Sequence, residues 1–301
     1  MNIIENLRKE AIKNIFRMRT FNSSFSSWRL LINENIGESP NWSKILDLGD
    51  KLSEIFKSTS QSGRSQSSVS SGGSAWEGLV CWYMNLCLIG SRTVVIKHSK
   101  ELIPECVADS ITVNYGSFVS NTESDLIAIT FPDETDFIGD ISELWGDQNF
   151  NFKNKINSLC KANFENLGIG IIQCKTNWND NAQIPMLWDI VYSSKEFENR
   201  NISIGKNGFS IINLNKFTYS FVTVPTGRGP YTPNSVAIKR VHTLSGGNYW
   251  GKPGVSGVCN SIKEIFNRNF SAGWNIRSQR NDINISLENF ENNFSYFKLS
   301  E

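Results

Sequence analysis

The sequence predicts a mixed α/β domain, a central sheet flanked by helices, and three observations carry that expectation. Apolar residues recur at helical spacing through the first 57 positions and again near the end of the chain. Between these regions lie several short runs with the composition of β-strands. The longest apolar run, Gly78–Gly90, is apolar on nearly all sides and reads as a helix buried in a core. Of the 301 residues, 39% are hydrophobic and 20% charged, a balance that suits one large globular domain or two smaller ones.

Taken in order, Leu7, Ile12, Ile15 and Phe16 fall near one face of a first helix. Leu46, Leu48, Leu52, Ile55 and Phe56 mark another, with an interruption at Glu38-Ser39-Pro40-Asn41. Residues 1–57 are therefore expected to form an N-terminal helical region. Ser58–Ser74 is almost entirely Ser, Gly and Gln with a single arginine, Arg64, so it cannot bury a core and reads as a loop. It is either a solvated connector or a loop that orders on a phosphate backbone through hydroxyls, amides and Arg64. Residues 75–301 make up the main domain. Ala75–Ile89 is its buried helix, with Glu77 as the lone charge. Strands are expected at Thr93–Lys97, Ser110–Tyr115, Ser124–Phe131, Gly168–Lys175 and Ser220–Val224. NFKNKINSLCKANFEN, within the polar segment 132–167, reads as a helix, as does Val258–Phe270.

Several function classes are excluded early. The 30 basic and 29 acidic residues rule out binding by bulk positive charge, though not a local basic cleft. The N-terminal segment is amphipathic, carries Glu5 and Glu10, and does not read as a secretory leader. No apolar run is long enough to cross a bilayer, so no membrane association is expected. Six cysteines without a CxxC pair, mostly inside apolar runs, read as buried thiols of a reducing cytoplasm. No dinucleotide, kinase or phosphate-loop signature is present, so no organic cofactor is expected. Only His98 and His242 exist, too few for a histidine-rich metal centre or a comfortable Cys–His pair.

Two strands are unusual in the same way. SDLIAITF places the carboxylate of Asp125 at the head of an apolar strand. GIGIIQCK ends on Lys175, two residues after Gln173. Strand alternation sets Gln173 and Lys175 on one face and turns Cys174 into the core. A charge on a buried strand needs a partner, and Asp125 and Glu77 are the obvious ones.

An acid leading one strand, a (D/E/Q)-x-K tripeptide in another and a glutamate on the preceding helix resemble the PD-(D/E)XK nucleases, a group that includes many type II restriction endonucleases. The resemblance spans roughly residues 75–190. Ser124 stands where the motif's proline would be, and Gln173 occupies its middle position, as in some branches that include Mrr-like enzymes cutting modified DNA. The long Asp125–Gln173 separation implies an inserted excursion over 133–167. The resemblance implies a restriction-endonuclease-like core and an Mg²⁺-dependent site whose catalytic residues are Glu77, Asp125, Gln173 and Lys175. Asp125 would be the principal ligand, joined by the backbone carbonyl of Cys174 and by Glu77, and Lys175 would activate the attacking water. It further implies double-stranded DNA as substrate and, for palindromic targets, a homodimer. A nuclease for modified or foreign DNA, and an inactive DNA-binding module of the same fold, stand as alternatives.

Candidate DNA contacts lie in two segments. Asn177, Asn179, Asn181 and Gln183 could read base edges, or could be turn formers leading into a helix that packs Met186, Leu187 and Trp188. Thr223–Gly254, dense in Pro and Gly, reads as exposed loops carrying Arg228, Lys239, Arg240, His242 and Lys252 among Tyr231, Tyr249 and Trp250.

Overall fold

The structure is a computed structural model that describes residues 1–37, 40–59, 69–97, 99, 101–121, 124–147, 150–178, 202–224, 231–250, 266, 268–270, 276–288 and 290–299. It is a mixed α/β structure, of the α+β class, with a central mixed sheet between helices. The N-terminal region folds as α1 (Ile3–Arg17), α2 (Arg19–Ile36), α3 (Trp42–Asp47) and α4 (Leu52–Ser58), and the apolar helix is α5 (Val69–Cys87). Asn2 and Asn41 cap α1 and α3, their side-chain oxygens accepting from Glu5 and Lys44 backbone N–H groups. Gly78 lets α5 press against α2, because a Cβ there would stand 2.4 Å from the Phe21 ring.

The central sheet contains β1 (Thr93–Lys97), β4 (Leu126–Thr130), β5 (Gly168–Lys175), β7 (Lys216–Thr223) and β8 (Tyr249–Trp250), in the order β1-β4-β5-β7-β8. The first three run antiparallel, and β5, β7 and β8 are parallel. Lys97 pairs with Leu126 and Leu126 with Ile172, whereas β5 continues beside β7 as far as Lys175↔Thr223. Residues 173–175 thus extend past the start of β4.

Alternation sorts the strands onto two cores. Val95, Leu126, Ala128, Ile172, Cys174 and Val222 pack on the α5 side, with Trp76, Leu79 and Trp82. Val94, Ile96, Ile127, Ile129, Ile169 and Ile171 pack on the other side, against α6 (Glu105–Ser110) and α8 (Phe152–Ala162). Helix α1 lies along the β1 edge and feeds both cores, Ile3, Ile4 and Leu7 on one side and Ile12 and Ile15 on the other.

The edge of β1 is closed by polar side chains. Asn85 of α5 accepts from Val95 N–H at 3.1 Å and donates to Val95 C=O at 2.6 Å, taking the place of a neighbouring strand. Arg8, fully buried, forms a two-pronged pair with Glu5 and donates to the carbonyls of Ser91 and Thr93. Glu5 also accepts from Gly90 N–H at 2.9 Å, and Gly90 has a positive φ of 77° that only glycine adopts easily. The turn from α5 to β1 is therefore fixed from the N-terminal helix.

Five expectations are corrected here. The loop expected over Ser58–Ser74 is shorter, since Ser58 closes α4 and α5 already begins at Val69, with residues 60–68 outside the described residues. Ser110 ends α6, and only Thr112–Tyr115 (β2) is strand. It pairs with β3 (Phe118–Asn121) and β6 (Ile202–Ile204) in a separate small sheet. Asp125 precedes β4 instead of lying in it, and β7 begins at Lys216, before the expected Ser220. The segment before β5 holds α7 (Thr135–Ile138) as well as α8, followed by a 3₁₀ turn at Phe164–Asn166. Most of Val258–Phe270 lies outside the described residues, where Phe266 and residues 268–270 are helical. Helices α9 (Val236–Ser245), α10 (Ile276–Glu288) and α11 (Phe290–Asn293) follow, with a 3₁₀ turn at Ser295–Phe297. No described helix is long and apolar enough to cross a membrane.

Because Arg8 has no exposure and its removal leaves the Glu5 carboxylate largely buried without its cation, Arg8→Met should cost about 3–5 kcal/mol of stability, read by denaturant unfolding. A loss below about 1 kcal/mol would show that the cluster is not holding the turn.

Candidate active site

The site forms at the sheet end where β1 and β5 finish and β4 starts. Strand residues alternate in the direction of their backbone groups, and Lys175 C=O accepts from Val224 N–H at 2.9 Å, on the β7 side. Cys174 therefore directs its N–H and C=O toward β4, beyond the last β4 pairing. Its N–H meets the Asp125 carboxylate, at 2.7 Å to Oδ2, and its carbonyl leaves on that same side. Lys175 Nζ is 3.5 Å from the same Asp125 oxygen, with side-chain exposures of 30% for the lysine and 18% for the aspartate.

Glu77 arrives from α5. Its Oε2 accepts from Lys97 Nζ at 2.5 Å, and this pair is the less exposed, at 19% and 14%. The Glu77 charge reaches Asp125. Burial pushes the Asp125 carboxyl above its ordinary value; the Lys175 charge opposes this, and the Glu77 charge adds to it. On the other face of β5, Gln173 Oε1 lies 3.5 Å from the Tyr219 hydroxyl of β7. Burial, and secondarily Asp125, push the Tyr219 phenol up to about 12.

The predicted residues are thus largely assembled. Asp125 and Lys175 meet, Gln173 shares the Lys175 face of β5, Glu77 stands on the α5 side with Lys97, near enough for its charge to act on Asp125, and Cys174 turns its thiol into the α5-side core. Burial, with the Asp125 and Glu77 charges behind it, raises that thiol well above its usual value, so it is no nucleophile. One expectation is corrected: Lys175 pairs with Asp125, and Glu77 pairs instead with Lys97. Lys97 and Tyr219 were not foreseen. The signal for Lys97 was present, because TVVIK ends a strand on lysine just as GIIQCK does. Tyr219 sits one residue before the expected start of its strand, and nothing in its composition marks it.

The outlying residues divide. Lys239 and Arg240 lie on helix α9 (Val236–Ser245), not in a loop, Lys239 exposed and Arg240 half-buried. That helix packs Ala237, Ile238 and Val241 on Phe221, the ladder partner of Gln173, so it lies one strand away from the site. Asn177 Oδ1 accepts from the Tyr231 hydroxyl at 3.0 Å, which ties it to the approach to α9 and leaves it less free for base reading than expected. Trp178 is buried beneath α9. Arg64, Asn179, Asn181, Gln183, Arg228 and Lys252 lie outside the described residues, as does His98. His242 is exposed on α9 with its ring against Tyr249.

The donor set is all oxygen: carboxylates from Asp125 and Glu77, the Cys174 carbonyl and the Gln173 amide. Hard divalent cations such as Mg²⁺ take such ligands and keep several waters. Among the described residues no group of three His, Cys, Asp or Glu side chains is placed to hold a metal, so a cation here would lean on two carboxylates and neutral oxygens. No protein-family model matches the chain, and no curated protein matches its sequence significantly.

A carboxyl raised in the folded protein holds its proton more tightly there than in the unfolded chain. The stability it contributes is full at low pH and is lost as pH rises through the raised value. Asp125→Asn keeps an oxygen for Cys174 N–H without the charge, and should melt a few degrees above the parent at neutral pH. The gap should shrink on acidification through the Asp125 titration. A lower melting temperature at neutral pH would show that the Lys175 pair outweighs burial.

Proposed function

We propose that this chain is an Mg²⁺-dependent endonuclease with a PD-(D/E)XK core, hydrolysing phosphodiester bonds of double-stranded DNA, and most specifically a type II restriction endonuclease. One observation carries the reading: Asp125, just before β4, and Lys175, at the end of β5, meet at the end of a mixed sheet with the Cys174 backbone N–H on the Asp125 carboxylate, and the Glu77 charge reaches Asp125 from α5. That is the constellation implied by the resemblance, and it required a strand pairing that sequence spacing does not dictate.

Asp125, Glu77, the Cys174 carbonyl and, more weakly, the Gln173 amide would hold the cation. When bound it supplies positive charge against the scissile phosphate and acidifies a coordinated water. The protein's own residues do the rest. Lys175, the more exposed of the two lysines, can donate to the attacking water and to a non-bridging phosphate oxygen as charge gathers there. Cys174 N–H holds the Asp125 carboxylate in one orientation, so little reorganisation is needed. Helix α9 offers Lys239 and Arg240, one strand away from the site, for backbone phosphates. A homodimer would bring two such sites to a palindromic target.

Purified protein, plasmid DNA and Mg²⁺ provide the test. Discrete fragments support a restriction enzyme, and cutting confined to methylated DNA supports the Mrr-like alternative that Gln173 keeps open. DNA binding that survives EDTA, with no cleavage under any divalent metal, would reduce the chain to a binding module. Asp125→Ala and Lys175→Ala should each lower cleavage by about 10²–10³-fold or more while leaving the fold intact. Wild-type cutting by Lys175→Ala would overturn the assignment. Gln173→Glu should retain or strengthen metal dependence.

The α9 contacts are checked separately. The double variant Lys239→Ala, Arg240→Ala should weaken DNA binding uniformly across sequences and reduce the slope of log K against log salt by about 2. An unchanged slope would remove α9 from the interface.

A further inference from the structure

Lys97 has no role in the mechanism above, yet it forms the tighter and less exposed of the two ion pairs at the site. It ends β1, directly opposite Leu126 and so one residue from Asp125 across the ladder. Its strand cannot drift. Asn85 holds Val95 on both backbone groups, and Arg8 holds the start of the strand at Thr93. The side chain faces α5, where its ammonium is 2.5 Å from Glu77 Oε2.

The two pairs differ in a way that divides their work. Lys175 stands 3.5 Å from Asp125 and is 30% exposed, while Lys97 is 14% exposed and in close contact with its acid. Water screens the second pair less, so its charge counts for more. With both pairs formed, the acids Glu77 and Asp125 are balanced by Lys97 and Lys175, and the site is formally neutral. A divalent cation at Asp125 faces the looser, more exposed ammonium of Lys175. Recruiting Glu77 as a second carboxylate requires weakening its contact with Lys97.

We propose that Lys97 is the resident counter-ion of Glu77 and sets the cation affinity of the site by competing with the divalent ion for that carboxylate. This rests on the reading of Glu77 and Asp125 as cation ligands. Lys97 is thus a positioning residue: it keeps Glu77 in place while no cation is bound, and it weakens cation binding.

The test is calorimetric titration of the full chain with Mg²⁺ and with Mn²⁺, without DNA, so that it does not depend on cleavage. Lys97→Met should bind either ion about tenfold more tightly or better, because a repelling charge has gone and Glu77 is released. Lys97→Arg, which keeps the charge, should bind as the parent does. In a Glu77→Gln background, Lys97→Met should gain much less, because the carboxylate over which the two cations compete is absent. Should Lys97→Met fail to fold, Lys97→Gln removes the charge while keeping a polar contact to Glu77, and carries the same expectation. Unchanged or weaker binding on loss of the Lys97 charge overturns the inference, as does a tenfold gain that persists in Glu77→Gln. The two failures are separable. If the parent binds the ions and Glu77→Gln weakens them, but loss of the Lys97 charge does not tighten them, only the counter-ion role is lost. If neither parent nor variant binds either ion, the cation site itself is refuted.

Discussion

Strand β4 begins two residues too late to pair with Cys174, and the Asp125 carboxylate takes the place of the missing carbonyl. A backbone N–H at a sheet end must find an acceptor, and a carboxylate is a strong one. This contact orients Asp125, brings it to Lys175, and leaves the Cys174 carbonyl pointing along the same side. Everything else at the site is arranged around that local interruption of the ladder. Had β4 started one turn of the pleat earlier, Asp125 would have been a strand residue committed to one face.

The second acid is held by a different logic. Glu77 belongs to a helix that is apolar nearly all round, so its position follows from how α5 seats on the sheet. That seating is fixed at its far end by the buried Arg8–Glu5 cluster and by Asn85, which together close the β1 edge and the α5–β1 turn. Buried polar clusters of this kind define geometry well when every member is satisfied, and are costly when one is removed. The N-terminal helices thus serve the site without touching it: they hold α5 and β1 together so that Glu77 and Lys97 meet.

Electrostatically the site stores opposed charges at close range. Burial, and more weakly the Glu77 charge, push Asp125 upward, while the Lys175 charge opposes them. Buried opposed charges of this kind are costly for stability, and they recur at functional sites.

Much was legible from residues alone. The apolar helix with its single acid, the strand ending in QCK and the acid at the head of SDLIAITF could be read because buried segments tolerate a charge only for a reason. The strand at Gly168–Lys175 followed from its apolar run, and the alternation that turns Cys174 inward followed from pleat geometry. What the chain could not state was partnership. Lys97 carries the same signature as Lys175, yet which acid each lysine takes depends on strand order and on where α5 crosses, contacts between residues 20 and 50 positions apart. The small sheet of β2, β3 and β6 and the helical placement of Lys239 and Arg240 were hidden for the same reason. Local composition records what a segment can bury, and only long-range packing decides which neighbour it is buried against.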